Sequence, residues 1–199
     1  MTEYAGDEGE AVAGFRAAPG GASARFAAAQ ATIIRDLVSQ VAELVGTDMP
    51  DSSDVAAAAA GGSAADLALQ LGVSDATELP DDPVLARLLP DAYRDDPDAS
   101  GEFRKYTEQG LRSAKVAAAQ TVLATLPPSG GKVRLSEPEA QAWLRSLNDV
   151  RLALSVRLGI TEELDEQEAA PDPDDPRSAY LWVYQWLAIL QESLVEALS

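Results

Sequence analysis

The sequence predicts an all-α protein, a single-domain helical bundle of about five to seven helices spanning residues 1–199. Apolar residues recur at helical spacing in several long segments, and the tripeptide Asp-Asp-Pro stands three times before helix-compatible sequence. Strand character is nearly absent, since KVRLS at 132–136 is the one short candidate. Residues 1–20 are expected to form a flexible N-terminal segment of this domain.

The first long helix is predicted over residues 22–45. Gly46 is a suitable C-terminal stop for it, and a shorter helix is expected over 63–71, ending at Gly72. The apolar residues of the first helix share one stripe: Phe26, Ile33, Leu37, Val41 and Leu44.

Asp-Asp-Pro occurs at 81–83, 95–97 and 174–176. Paired carboxylates suit hard cations, so a repeated metal motif is one interpretation. Helix capping explains the pattern better, because Asp accepts hydrogen bonds from the first free N–H groups and Pro has no N–H to leave unpaired. Helices are therefore expected to begin near 83, 97 and 176, and no metal site is predicted.

The second of these helices, over roughly 97–126, carries two patterns. One face begins at Phe103 and holds small residues that would let another helix approach closely: Gly110, Ala114, Ala117, Ala118 and Thr121. On another flank, Arg104, Glu108 and Arg112 repeat at i, i+4 and i+8. Such spacing predicts a solvated ladder of ion pairs, each worth a few tenths of a kcal/mol.

Ser136 and Glu139 form a capping box that opens a helix to about Leu158, with Gly159 as its stop. Large apolar residues lie on nearly every side of this helix, which predicts a buried central helix near 137–158 or a partial subunit interface. Its main stripe is Trp143, Leu147, Val150, Leu154 and Leu158.

Residues 161–175 read as an acidic, Pro-containing linker before a long C-terminal helix. Trp182 and Ile189 fall off the broad apolar face of that last helix. Either the N-terminal region covers them or they mark a homodimer contact.

The composition excludes several classes of site. The chain has no cysteine and no histidine, so thiol chemistry, disulfides and the usual neutral-pH general base are absent. No catalytic residue and no cofactor are therefore predicted, and the sequence leans against an enzyme. The N-terminus lacks a signal peptide and no apolar run could cross a membrane, which favours a cytoplasmic protein.

The net charge of −18 argues against nucleic acid as a partner. ADLALQLGVSDAT at 65–77 resembles the start of a helix-turn-helix, yet residues 66–83 hold five acids and no base. The charge is uneven, because eleven of the 15 basic residues lie within 85–157. A solvated acidic surface explains most of this pattern, and an anionic ligand or acidic partner is the sharper alternative.

Three functional hypotheses follow from these features. The leading one is a non-enzymatic protein-interaction or regulatory factor that binds a protein partner or self-associates through its C-terminal helix. The alternative is a small anionic ligand in a pocket between the middle helices, lined by Arg87, Tyr93, Arg94, Asn148, Asp149 and Arg151. A transcriptional regulator is the third and least favoured reading.

Three segments carry a resemblance to a known family: VLARLLPDAYRDDPDASGEFRKYTEQGLRSAK, AWLRSLNDVRLALSVRLGI and DDPRSAYLWVYQWLAILQESLVEAL. They resemble the actinobacterial family called domain of unknown function 2017, as does the N-terminal stretch GFRAAPGGASARFAAAQATIIRDLVSQVAELV. The family brings no catalytic residues. Its genes commonly lie beside that of the Clp protease adaptor and near sulfur-carrier and cysteine-synthesis genes. The resemblance therefore implies a cytoplasmic role in regulated proteolysis or sulfur metabolism.

Overall fold

The computed structural model describes residues 14–47, 76–93, 95–160 and 177–199, together with residues 49, 57, 60, 61 and 63. Within these residues the chain forms three strands and five helices. In chain order they are β1 (Arg16–Ala18), β2 (Gly21–Phe26), α1 (Ala28–Gly46), α2 (Pro83–Leu88), α3 (Pro97–Thr125), β3 (Gly131–Ser136), α4 (Glu137–Leu158) and α5 (Ser178–Ala197).

The all-α prediction is wrong, because the three strands form an antiparallel sheet in the order β1-β2-β3. The fold is therefore mixed, with helices packed on one face of a small sheet. KVRLS lies within β3, and the strands that pair it into a sheet come from Arg16–Phe26, over a hundred residues earlier. Gly21 is required at the turn, since a Cβ there would collide with the carbonyl oxygen of Leu135.

Strand β1 lies inside the segment 1–20 that was expected to be flexible. For residues 1–13 that expectation stays a prediction, because they lie outside the described residues. The linker at 161–175 and the short helix at 63–71 also fall outside them, apart from the isolated Ser63.

The inner face of the sheet packs on α4 through an aromatic cluster. The ring centroids of Phe15 and Phe26 lie 5.5 and 5.8 Å from that of Trp143, which is fully buried. The indole N–H of Trp143 donates a hydrogen bond to Thr125 Oγ1 at 2.8 Å, so the only polar atom of its side chain is satisfied at the end of α3. This cluster joins the sheet, α3 and α4 in one core.

Helix α4 is the central helix, as predicted, since it contacts each of the other four described helices. Its predicted ends are also confirmed. Ser136 and Glu139 form the capping box, and Gly159 ends the helix in a left-handed conformation with φ of 69°.

Two of the three predicted Asp-Asp-Pro caps are present. The carboxylate of Asp82 accepts hydrogen bonds from the N–H groups of Val84 and Leu85, and that of Asp96 accepts one from Ala99. Residues 174–176 lie outside the described residues, and α5 is described from Ser178 onward.

Helix α1 begins at Ala28, later than predicted, because Phe26 belongs to β2. Ile33, Leu37 and Val41 of the predicted stripe are half-buried against the core. The face that points straight into the core is one residue further along the chain: Ala31, Ile34, Val38 and Val45.

Helices α1 and α3 run antiparallel, and each supplies an arginine to the C-terminal end of the other. Arg35 Nη2 donates to the carbonyl oxygen of Leu126 at 2.6 Å, and Arg112 Nη1 donates to that of Val45 at 2.8 Å. The last carbonyls of a helix have no partner inside it and carry its negative partial charge, so guanidinium groups stabilise both ends.

Candidate functional site

Four charged residues form a buried network where α1, α2 and α3 meet, and we call Asp91, Arg104, Glu108 and Arg112 the charge network. The three members on α3 follow each other at four-residue spacing and so share one face of the helix. Arg104, Glu108 and Arg112 are only 5, 8 and 4% exposed. The prediction of a solvated ladder is therefore wrong: this face of α3 points into the protein, towards α1 and the segment after α2.

Glu108 lies at the centre of the charge network. One carboxylate oxygen accepts from Arg104 Nη1 at 2.7 Å, and the other accepts from Arg112 Nε at 2.9 Å. Asp91 accepts a further hydrogen bond from Arg104 Nη2, also at 2.9 Å. Two cations and two carboxylates balance, which is the condition under which charges are tolerated away from water.

The two arginines also bind backbone oxygens at the ends of other helices. Arg112 reaches Val45 at the end of α1, and Arg104 Nη2 donates to the carbonyl oxygen of Leu89 at 3.1 Å, just after α2. Burial opposes the charge on Arg104, but hydrogen bonds and charges from Glu108 and Asp91 outweigh it, and the pKa of Arg104 is raised. The charge network thus fixes two helix ends against α3.

A shallow cleft of about 280 Å³ lies beside the charge network, between α3 and the segment that follows α2. Most of its lining is apolar, and its polar residues include Arg104 and Glu108. The nine residues that line it are Leu89, Pro90, Ala92, Ser100, Phe103, Arg104, Thr107, Glu108 and Leu111. Within the described part of the chain, the buried Nε–H of Arg104 has no hydrogen-bond partner.

Large apolar side chains at the cleft stay exposed to solvent, and we call Tyr93, Phe103 and Leu111 the rim. Their exposed fractions are 51, 47 and 41%. The rings of Tyr93 and Phe103 meet edge to face, with centroids 6.1 Å apart. Exposed aromatic side chains grouped around a concave apolar surface are typical of a protein-binding site.

Ser100 holds one wall of the cleft in place. Its hydroxyl oxygen accepts a hydrogen bond from the backbone N–H of Tyr93 at 2.9 Å and donates one to the carbonyl oxygen of Tyr93 at 2.7 Å. Ser100 is 3% exposed and lies in the first turn of α3. The position of Tyr93 is therefore set by the helix and is not left to a free loop.

A second buried ion pair joins α3 to α4. Lys115 Nζ donates to Asp149 Oδ1 at 2.6 Å, and the two side chains are 16 and 6% exposed. Burial raises the pKa of Asp149 above its ordinary value, and the hydrogen bond and charge of Lys115 offset only part of this effect.

The residues predicted to line an anion pocket lie in several places. Arg87 is exposed in the last turn of α2, Tyr93 belongs to the rim, and Asn148 is exposed on α4. Arg94 lies outside the described residues.

Asp149 and Arg151 belong to the same helix but bind opposite neighbours. Asp149 meets Lys115 of α3, whereas Arg151 donates to Gln191 Oε1 of α5 at 3.0 Å and lies 5.2 Å from the ring centre of Tyr184. Helix α2, which carries Arg87, packs on α4, and the anion pocket stays a prediction.

The charge network was missed as a site because charged residues at four-residue spacing usually face water. A signal was nevertheless present. The buried stripe in the second half of α3 includes Ala119 and Val122, and extending it backwards at the same helical spacing leads to Arg112, Glu108 and Arg104.

The chain belongs to the family described as Domain of unknown function (DUF2017), whose model matches residues 12–198. The family resemblance drawn from the sequence is confirmed. The chain is 43% identical over 129 residues to the "Oxidative stress regulator AosR" of Mycobacterium tuberculosis (strain ATCC 25618 / H37Rv) and to that of Mycobacterium bovis. Each match covers 58% of this chain and 58% of the relative, so the chain spans less than two thirds of the relatives it matches. No solved structure matched the chain.

Within the described residues, none of the helices has both the length and the apolar character that a membrane crossing requires.

Proposed function

We propose that this protein is a regulatory factor that acts by binding a protein partner at the cleft, without catalysing a reaction. The observation that carries the proposal is the exposed rim, which surrounds an apolar cleft built on a rigid, buried charge network. The similarity to proteins named oxidative stress regulator supports a regulatory role. The match covers only 58% of the length of those relatives. A role of this chain in regulating the response to oxidative stress is therefore part of the proposal.

The partner we propose is a protein segment that places an apolar side chain in the cleft. Leu89, Phe103 and Leu111 offer apolar contact to that side chain.

Direct binding of DNA is a weaker explanation for a regulatory role. Duplex binding depends on neutralising phosphates, and the chain carries a net charge of −18. A protein partner requires no such neutralisation. An unchanged electrophoretic mobility of DNA at low salt would remove the DNA-binding alternative.

The chemistry of an oxidative signal also favours action through a partner. The 199 residues contain no cysteine, so a thiol cannot act as the sensor in this chain. If the chain shares the role that its relatives' name describes, a partner that carries an oxidant-sensitive thiol and passes the signal on by contact would account for that role. The links to Clp-dependent proteolysis and sulfur metabolism stay predictions, and they suggest which candidate partners to try first.

Paired substitutions test the proposed binding surface. Leu111 lines the cleft and is 41% exposed, and Val195 is a similarly exposed apolar residue on α5. We expect Leu111→Glu to reduce recovery of a co-purifying protein at least tenfold, because a hot-spot residue contributes about 2 kcal/mol or more. Val195→Glu should leave recovery unchanged.

Both variants must first unfold at the same denaturant concentration as the unaltered protein, so that lost recovery reports the surface and not the fold. Equal recovery with Leu111→Glu, or an equal loss with Val195→Glu, would contradict the proposal.

Self-association through α5 stays a separate prediction. Trp182 and Ile189 are 57 and 49% exposed on that helix. A monomeric mass by light scattering at high protein concentration would contradict a homodimer. A dimeric mass that Trp182→Glu converts to a monomer would support one.

A further inference from the structure

The outer face of the sheet carries a cluster of four basic residues, and we call Arg16, Arg25, Lys132 and Arg134 the basic face. The strand register places them in two neighbouring rows: Arg16, Ser23 and Arg134 form one, and Arg25 with Lys132 forms the other. The alternate residues of β2 and β3, including Phe26 and Val133, point into the core. All four basic side chains are therefore directed to solvent, and each is exposed.

The sequence alone does not bring these residues together. Arg16 and Arg25 come from the acidic N-terminal part of the chain, and Lys132 and Arg134 come more than a hundred residues later. Neither row contains an acidic residue. In the part of the chain that the structure describes, no ion pair is formed by any of the four.

This arrangement costs the fold some stability. Like charges directly opposite each other on paired strands repel, as Arg25 and Lys132 do here. Serine or threonine would fit the same positions, and an acid would fit the prevailing charge of the protein. A chain with 33 acidic residues against 15 basic ones nevertheless places four bases on one small face.

We infer that the basic face binds a short acidic segment of a partner protein. Cations two residues apart on one strand are about 7 Å apart, Arg25 and Lys132 face each other across about 5 Å, and Arg16 lies about 10 Å from Arg134, which matches a few carboxylates on an extended chain. Only the small side chain of Ser23 lies between Arg16 and Arg134 in their row. This site is separate from the cleft, lies on different elements and does not depend on the proposed function.

The charge of the whole protein favours a short segment over a nucleic acid. Repulsion from distant acids is screened beyond about 8 Å at physiological ionic strength, so a few carboxylates respond mainly to the local cations. A nucleic acid extends past the basic face and brings phosphates close to the acidic remainder of the surface.

Binding of a fluorescent peptide in which aspartate and serine alternate tests the inference, with asparagine replacing aspartate in the control peptide. The test variant is Arg25→Gln with Lys132→Gln. The matched control is Arg145→Gln with Arg157→Gln, which removes two exposed positive charges from α4 and changes the net charge equally. We expect the test variant to bind the acidic peptide about tenfold more weakly and the control variant to bind it within twofold of the unaltered protein.

Three results would overturn the inference. The first is that the acidic peptide fails to bind at low ionic strength, or binds no better than its asparagine control. The second is an equal loss in both double variants, which would reflect net charge alone. The third is tighter binding of a single-stranded oligonucleotide than of the peptide, lost with Arg25→Gln and Lys132→Gln, which would identify a nucleic acid as the ligand.

The chain's own acidic N-terminus is an alternative ligand for the basic face, and a further variant distinguishes it from a partner protein. Changing Glu3, Asp7, Glu8 and Glu10 to amides in the full chain removes its charge. If the peptide binds only after this change, the basic face serves the chain itself, and the inference of a partner is overturned. Unchanged peptide affinity in this variant supports the partner.

Discussion

Replacing Glu108 tests most clearly whether the charge network is buried or solvated. Glu108→Ala leaves Arg104 and Arg112 without the carboxylate that bonds to both of them. Asp91 would still bond to Arg104, but Arg112 would lose both of its hydrogen bonds to Glu108. We therefore expect a large loss of stability, centred on the contact between α1 and α3.

The size of the loss follows from burial. Removing one partner of a buried ion pair costs about 3–5 kcal/mol, because the remaining charge is left in a poorly solvating environment. Glu108 is 8% exposed and its two arginine partners are 5 and 4% exposed, so this range applies. A single domain is stable by about 5–15 kcal/mol, and the variant should lose a large share of that.

Glu102 provides a matched control on the same helix. It accepts from Lys105 at 2.6 Å, but the two side chains are 67 and 31% exposed. An exposed pair of this kind contributes below about 1 kcal/mol, so Glu102→Ala should change stability little.

Urea unfolding followed by tryptophan fluorescence measures both variants, since Trp143 and Trp186 are buried in the core. We expect Glu108→Ala to lower the free energy of unfolding by at least about 2 kcal/mol more than Glu102→Ala does. Equal costs, both below about 1 kcal/mol, would refute the buried network and restore the solvated ladder.

Three further predictions concern other parts of the structure. The pKa of Asp149 is raised above its ordinary 3.8 in the folded state, so its contribution to stability grows as pH falls through the folded pKa towards 3.8. The unfolding free energy of the unaltered protein minus that of Asp149→Asn should therefore rise as the pH is lowered through this window. A difference that does not depend on pH would contradict the raised pKa of Asp149. Lys132→Glu should stabilise the sheet by about 0.2–1 kcal/mol, because an opposite charge then faces Arg25, while acidic peptide binding falls; denaturation that shows a loss of stability would count against the repulsion. Ser100→Ala removes both hydrogen bonds to the backbone of Tyr93 and should cost about 1–3 kcal/mol, with faster amide hydrogen exchange at Tyr93; unchanged exchange would show that the rim is held by other contacts.

The helix ends were predictable from sequence because each is set by local chemistry. Asp82 and Asp96 cap α2 and α3, and Gly159 ends α4, through contacts that span only a few residues. The central position of α4 was also predictable, because large apolar residues occur on nearly all its sides.

The sheet was not predictable in the same way. β2 alternates Ala22, Ala24 and Phe26 inward, and alanine gives a weak apolar signal in an alanine-rich chain. Its partner β3 lies more than a hundred residues away, so the pairing depends on the tertiary fold. The basic face was missed for the same reason, since it exists only after β1, β2 and β3 pair.

Part of the candidate site was predictable from the sequence. Tyr93 was predicted to line an anion pocket between the middle helices, and in the structure it packs on Phe103 and bonds to Ser100, both of α3. Arg104, Glu108 and Arg112 were recognised as ion pairs, and only their burial was wrong. Burial depends on which face of α3 meets α1, and local spacing does not determine that.

The most direct test of the central claim is site-specific photocrosslinking in living cells. A photoreactive phenylalanine replaces Phe103, which lines the cleft and is 47% exposed, and a second variant carries it at Arg145, exposed on α4. We expect position 103 to crosslink to a discrete protein, Leu111→Glu to abolish the product, and position 145 not to form it. A crosslinking pattern that is the same at both positions, or a product at 103 that Leu111→Glu leaves unchanged, would contradict the claim that the cleft binds a protein partner.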